Sequence, residues 1–255
     1  MKVWAIALNT SREAIRNKIL YSILLFAALI TGISAAFGAA SIGDTLKFVK
    51  DFSLFSISLF GVVTTVVLGV SLLSKELGKR TIYNILSKPV ARWQFLVGKF
   101  LGLLATLAIM MGLLASALLA TLWFLEGHFD WQLIPVVGAM MLELSILLAA
   151  AMFFSSIVVT PSLAGFFTVA TFIVGRSVGM LSYFNGAEQP PMLQYVMHAL
   201  YVVLPHLDRL YVADQVVSGL TLPPSYYLQA GLYAAGYSGV LLVLSLAIFR
   251  RREFP

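Results

Sequence analysis

Residues 74–99 read SKELGKRTIYNILSKPVARWQFLVGK. Lys75, Lys79, Arg80, Lys88, Arg92 and Lys99 make the stretch strongly basic, and Glu76 is its one acidic residue. Apolar runs flank it, 52–73 before and 100–125 after. A basic segment between two such runs marks a cytoplasmic loop joining two membrane spans, because Lys and Arg accumulate on that side.

The rest of the chain extends this pattern. Hydrophobic residues make up 60% of it, charged residues 11%, and the mean hydropathy is +0.94; a soluble domain carries about 25% charged residues. Each crossing of roughly 30 Å of hydrocarbon needs about 20 apolar residues whose backbone groups are satisfied within the helix. Six stretches meet this requirement, approximately 19–40, 52–73, 100–125, 133–158, 163–184 and 227–249. The expectation is one all-α membrane domain over 1–255. The first span is too long for a signal-peptide core and lacks a clean A-x-A site, so it is expected to be retained.

Charge sets the orientation. Lys2, Arg12, Arg16 and Lys18 precede the first span, the central basic run follows the second, and Arg250, Arg251 and Arg252 follow the sixth. The opposite loops hold Asp44, Asp51, Glu126, Asp130, Glu188, Asp208 and Asp214 against Lys47, Lys50 and Arg209. Both termini are therefore expected in the cytoplasm. Topology and contact with anionic lipid account for the net charge of +6 without a nucleic-acid partner. The chain has no cysteine, which removes disulfides and thiolate metal sites.

Three segments outside the spans carry patterns of their own. Within 1–18, Val3, Trp4, Ala7, Leu8, Ser11 and Ile15 share a helical face opposite Lys2, Asn9, Glu13 and Arg16, which predicts an amphipathic helix on the inner leaflet; Ile6 breaks the pattern. In the loop 74–98, Ile82, Ile85 and Leu86 repeat at helical spacing beside Lys79, Arg80 and Tyr83. A short helix there needs a cover, either a partner protein or the membrane surface. Pro89 suits the first turn of the next helix. Between the fifth and sixth spans, 185–226 contains Pro190, Pro191, Pro205, Pro223 and Pro224, and its apolar stretch 192–204 is too short to cross. Re-entrant or interfacial helices are expected there, with Leu193, Val196, Met197, Leu200 and Leu204 on one face. Gly98 with Gly102, Gly175 with Gly179, and Gly231 with Ala235 and Gly239 permit close approach between spans.

Candidate chemistry is sparse. Glu143 and Arg176 lie deep in the fourth and fifth spans, where a lone charge costs about 2.5–3.5 kcal/mol on insertion scales, so they are expected to pair. Such a pair either fixes the two helices or lines a polar path. His128, His198 and His206 match no standard metal-ligand spacing, and no metal site is expected. A G-x-S-x-G elbow is absent, which argues against a hydrolase. So is the G-x-x-x-x-G-K-[ST] phosphate loop, so the chain does not bind ATP through that motif. A proton-coupled secondary transporter and a non-transporting membrane anchor for a cytoplasmic partner are alternative readings.

The stretch from Glu76 to Lys99, with its Glu, Gly, small-Thr, Pro, Arg and Gly-Lys pattern, resembles the permease subunits of ATP-binding-cassette (ABC) exporters of the type-2 class. The tail from Phe249 to Phe254 is also similar. The segment around LPHLDR, residues 204–209, looks like the branch serving nitrous oxide reductase maturation. The resemblance implies a homodimer of six-span subunits in a bacterial inner membrane, with cytoplasmic ABC ATPases beneath it. ATP and Mg would bind those ATPases, and this chain would hold no cofactor. It further implies that the ATPase is contacted by Glu76, Lys79, Arg80, Ile82, Tyr83, Ile85, Leu86, Pro89 and Arg92, with 79–86 as the coupling helix.

Overall fold

The computed structural model describes residues 2–39, 45–78, 91–127, 129–158, 160–181, 191–220 and 222–251. Among these residues there are helices and no strands: α1 (Lys2–Ile15), α2 (Lys18–Ala39), α3 (Thr45–Gly78), α4 (Arg92–Glu126), α5 (Leu133–Ile157), α6 (Pro161–Leu181), α7 (Pro191–Val203), α8 (Ala213–Val217) and α9 (Pro224–Arg251). Helices α3, α4, α5, α6 and α9 are each long and apolar enough to cross a membrane. Helices α1 and α2, bent by 63° at their break, qualify together as a sixth.

Several helices outrun their expected spans. The 35 residues of α4 reach about 52 Å at 1.5 Å per residue, well beyond the hydrocarbon. Helix α3 continues through Gly78, so Glu76 sits in its last turn and the basic loop between helices is shorter than 74–98. Residues 79–90, with Lys79, Arg80, Ile82, Tyr83, Ile85, Leu86 and Pro89, lie outside the described residues. Helix α4 starts at Arg92, where extended Ala91 donates its N–H to Gln94 Oε1 at 3.2 Å.

Helix α5 is the axis of the bundle. Its apolar residues point in every direction, and a helix apolar all round is one surrounded by protein or lipid. Here the neighbours are α3, α4, α6 and α9. Two thirds of its most apolar window is buried (67%), against 22% for α6 and α9, which present their outer faces to lipid. Close packing depends on missing side chains: a Cβ at Gly69 of α3 would lie 2.7 Å from the Ala151 Cβ of α5. Buried hydroxyls mostly bond back to their own helix, as Thr31 does to Ala27 O, Thr65 to Gly61 O and Thr168 to Ala164 O.

Helix α1 packs along α4. Ala7, Thr10 and Ala14 are buried, while Trp4 and Leu8 are exposed. The reason is Gly98 and Gly102 of α4: they form a shallow groove that admits a small-residue face and would exclude Trp4. A Cβ at Gly102 would meet Ala7 O at 2.4 Å, and one at Gly98 would meet Ile6 Cβ at 2.8 Å. Ile6, off the expected face, therefore belongs to the contact.

The other glycine pairs also depart from expectation. Gly175 and Gly179 of α6 make room for the segment 204–212 rather than for another span: Cβ atoms there would lie 2.8 Å from Leu207 and from the Asp208 carboxylate. Gly231 and Gly239 of α9 face open space. Helix α7 lies against α6, and Val196 and Leu200 of its apolar face are exposed.

Candidate functional site

Three crossing helices converge on one cluster of charges. Helices α5 and α6 run antiparallel from a short turn. Counted from it, Glu143 and Arg176 lie about 21 and 22 Å along their helices, so they face each other at one depth. Arg176 Nε donates to Glu143 Oε1 at 2.8 Å and Nη2 donates to Oε2 at 2.9 Å, the two-pronged geometry that a planar guanidinium makes with a carboxylate. Nη2 also donates to Ser58 Oγ of α3 at 2.7 Å.

The burial is unequal. Glu143 is 1% exposed, whereas the Arg176 side chain keeps 23%. The guanidinium carbon lies 3.9 Å from the Tyr211 ring centre and 4.9 Å from that of Phe172, one turn back on α6. Aromatic faces attract the cation, and the carboxylate neutralises it, which together make a buried charge tolerable. The site thus ties α3, α5, α6 and the segment after α7 to a single ion pair.

Nothing in the sequence singled out Ser58 and Tyr211 as partners. Serine in an apolar helix usually bonds back to its own carbonyls, and Tyr211 reads as an interface anchor like the tyrosines around it. Their distances from Glu143 and Arg176 in sequence carry no periodic signal.

At the end of the bundle holding the basic loop, Arg92 Nη1 donates to the Phe249 carbonyl at 2.9 Å and its guanidinium lies 5.9 Å from the Phe249 ring centre. This clamps the first turn of α4 to the last turns of α9. Ala91, Arg92, Trp93 and Leu246 border a hollow of ≈ 380 Å³ there. Of the residues expected to couple to an ATPase, Arg92 is thus engaged within the chain and Glu76 lies in the final turn of α3.

At the opposite end, Lys50 and Asp130 form an ion pair at 2.9 Å between α3 and the loop before α5. The segment 204–212 docks on α6, where the N–H groups of Leu207 and Asp208 both donate to the Gly175 carbonyl at 3.1 and 3.3 Å. The three histidines are not brought together. His198 is exposed, His206 is partly enclosed beside Tyr201, and His128 lies outside the described residues. Burial and the nearby Arg209 push the His206 imidazole below its ordinary value of 6.5, with Asp208 opposing them.

The model of one family, described as ABC-2 family transporter protein, matches residues 4–254. No curated protein matches the chain.

Proposed function

Because the chain belongs to the ABC-2 family of transporter proteins and is an integral multi-pass membrane protein, we propose that it is the permease subunit of an ATP-driven exporter, working as a homodimer on separate cytoplasmic ATPases. The observation that carries this reading is the family match across almost the whole chain, 4–254, over a bundle made of membrane-length helices. The sequence lacks the phosphate loop that a motor would need, so ATP and Mg belong to the partner. The basic clusters before the first span, after the second and after the sixth all fall on one side, which supports a reading with both termini in the cytoplasm of a bacterial inner membrane.

Coupling would pass from the loop 79–86 into Glu76 at the end of α3 and Arg92 at the start of α4. Both helices run the full depth of the bundle, so displacement at one end is transmitted as rigid-body motion to the other. The pair Glu143–Arg176 holds α5 to α6 and, through Ser58, to α3, and would set which helices move together. The likeness of 204–209 to the nitrous oxide reductase maturation branch favours a cargo class of that kind.

The test is affinity purification of the tagged chain from its native membrane in mild detergent. The expected result is a co-purifying ATPase in near-stoichiometric amount with vanadate-sensitive ATP hydrolysis. Recovery of the intact chain without an ATPase in several detergents would overturn the motor-driven reading and move attention to proton-coupled transport through Glu143.

A further inference from the structure

Between the end of α7, the segment 204–212 and the first turns of α9 lies a cleft of ≈ 330 Å³, lined by Tyr201, His206, Arg209, Tyr226, Gln229 and Tyr233 among others. Its hydrogen bonds are arranged with an excess of donors. Arg209 Nη2 donates to Tyr201 Oη at 2.9 Å, and the His206 N–H donates to Tyr233 Oη at 2.8 Å. Each phenol oxygen is thereby used as an acceptor and keeps its own O–H to give to an occupant. The Arg209 guanidinium spends one of its N–H groups on Tyr201 and retains its charge. Tyr226 donates to the Arg209 carbonyl, which pins the backbone beneath that side chain.

Among the described residues no carboxylate lines the cleft: Asp208, the sequence neighbour of Arg209, lies against Gly179 of α6. His206 Nε2 is buried and has no hydrogen-bond partner among the described residues. The ring stands edge-on to Tyr201 at 4.5 Å, and Arg209 is the one Arg or Lys among the described residues lining the cleft.

Depth narrows the occupant. Tyr226, Gln229 and Tyr233 fall within the first three turns of α9, about 3 to 14 Å in from the end of a membrane-length helix. The flanking helices are apolar on the outside, with Val202 and Val203 on α7 and Leu228 and Leu232 on α9 exposed. A cationic, donor-rich cleft at that level, walled by aromatic rings and surrounded by apolar surface, matches a molecule with an anionic head and an apolar body.

We propose that this cleft binds the oxyanion head of an anionic amphiphile, a phosphate or carboxylate held by Arg209, Tyr201 and Tyr233. The chemistry is shared by a phospholipid of the surrounding bilayer and by a soluble organic anion. The proposal concerns binding to this chain alone and stands apart from the ATP-driven reading, since it is measured without any ATPase.

Purified full-length protein is titrated in detergent, with binding followed by native mass spectrometry. The probes are dioctanoyl phosphatidylglycerol, dioctanoyl phosphatidylcholine and phenyl phosphate. Phosphatidylglycerol is expected to bind at least tenfold more tightly than phosphatidylcholine, and Arg209→Gln to abolish that preference. Saturable phenyl phosphate binding, lost in Arg209→Gln while phosphatidylglycerol fails to bind, would identify a soluble anion as the occupant and support the same site. Equal affinity for the two lipids together with no phenyl phosphate binding overturns the proposal, as does an Arg209→Gln protein that binds like wild type. If Arg209→Gln does not purify as a folded protein, Tyr201→Phe/Tyr233→Phe serves instead. It removes both O–H donors while keeping the rings and is expected to weaken anion binding at least fivefold; unchanged binding overturns the proposal.

Discussion

Arg176 meets a carboxylate, a hydroxyl and two aromatic faces at once, and each of these contacts comes from a different place in the chain except Phe172. Removing one member of a buried pair leaves the other charge stranded, which costs about 3–5 kcal/mol, whereas replacing both with apolar residues is often neutral. Glu143→Gln and Arg176→Gln are each expected to lower thermal stability and yield in detergent, while Glu143→Leu/Arg176→Leu recovers both. Transport by the double variant then separates two roles: activity restored with stability marks a structural clamp, and activity still absent marks a polar path. Wild-type transport and expression in both single variants would remove the pair from either role. The pairing was legible in the sequence because two ionisable residues interrupt apolar runs at matching depth. The ligation by Ser58 was not, since only the fold brings α3 beside them.

His206 gives a pH dependence whose sign follows from its surroundings. The folded chain holds the imidazole below 6.5, so it binds fewer protons than the unfolded chain. Stability is full above about pH 6.5, where histidine in the unfolded chain titrates, and declines as pH falls through that value toward the folded one. Melting temperature measured from pH 7.5 to 5.5 should fall in the wild type and fall less in His206→Gln; parallel curves would count against it.

At the scale of elements, the contact between α1 and α4 is the most exacting. Gly102 allows Ala7 O to approach where a Cβ would stand at 2.4 Å, and Ser11 and Thr106 hydroxyls meet one turn further on at 3.2 Å. Gly102→Val is expected to lift α1 from its groove. The absence of native cysteine makes this measurable: a Ser11→Cys/Thr106→Cys protein should cross-link on oxidation, and the added Gly102→Val change should suppress it. Undiminished cross-linking would show that α1 does not depend on the groove. The existence of α1 was legible from its periodicity, but its buried face was not, because the lining of a groove is decided by the partner helix. The segment 185–226 was legible only as too short and too proline-rich to cross, since its docking on α6 depends on Gly175, far away in sequence.

For the whole molecule, the spans were readable because hydrocarbon imposes a length and a composition that few other settings demand. Of the six expected spans, five correspond to single long helices, and a sixth is reached only when the bent pair of α1 and α2 is counted as one span. The relation of the chain to a motor rests on a loop that lies outside the described residues. Changing Ile82, Ile85 and Leu86 together to Ser is expected to abolish ATPase co-purification while leaving membrane insertion and the melting temperature intact. Retained ATPase at wild-type stoichiometry would exclude this loop as the coupling element.

The carbonyl of Gly175 accepts two amide protons, those of Leu207 and Asp208, and the next residue on α6 is Arg176. In deuterated buffer the protection of the Asp208 amide reports the free energy of detaching this segment from α6, and so how firmly that end of the bundle is closed.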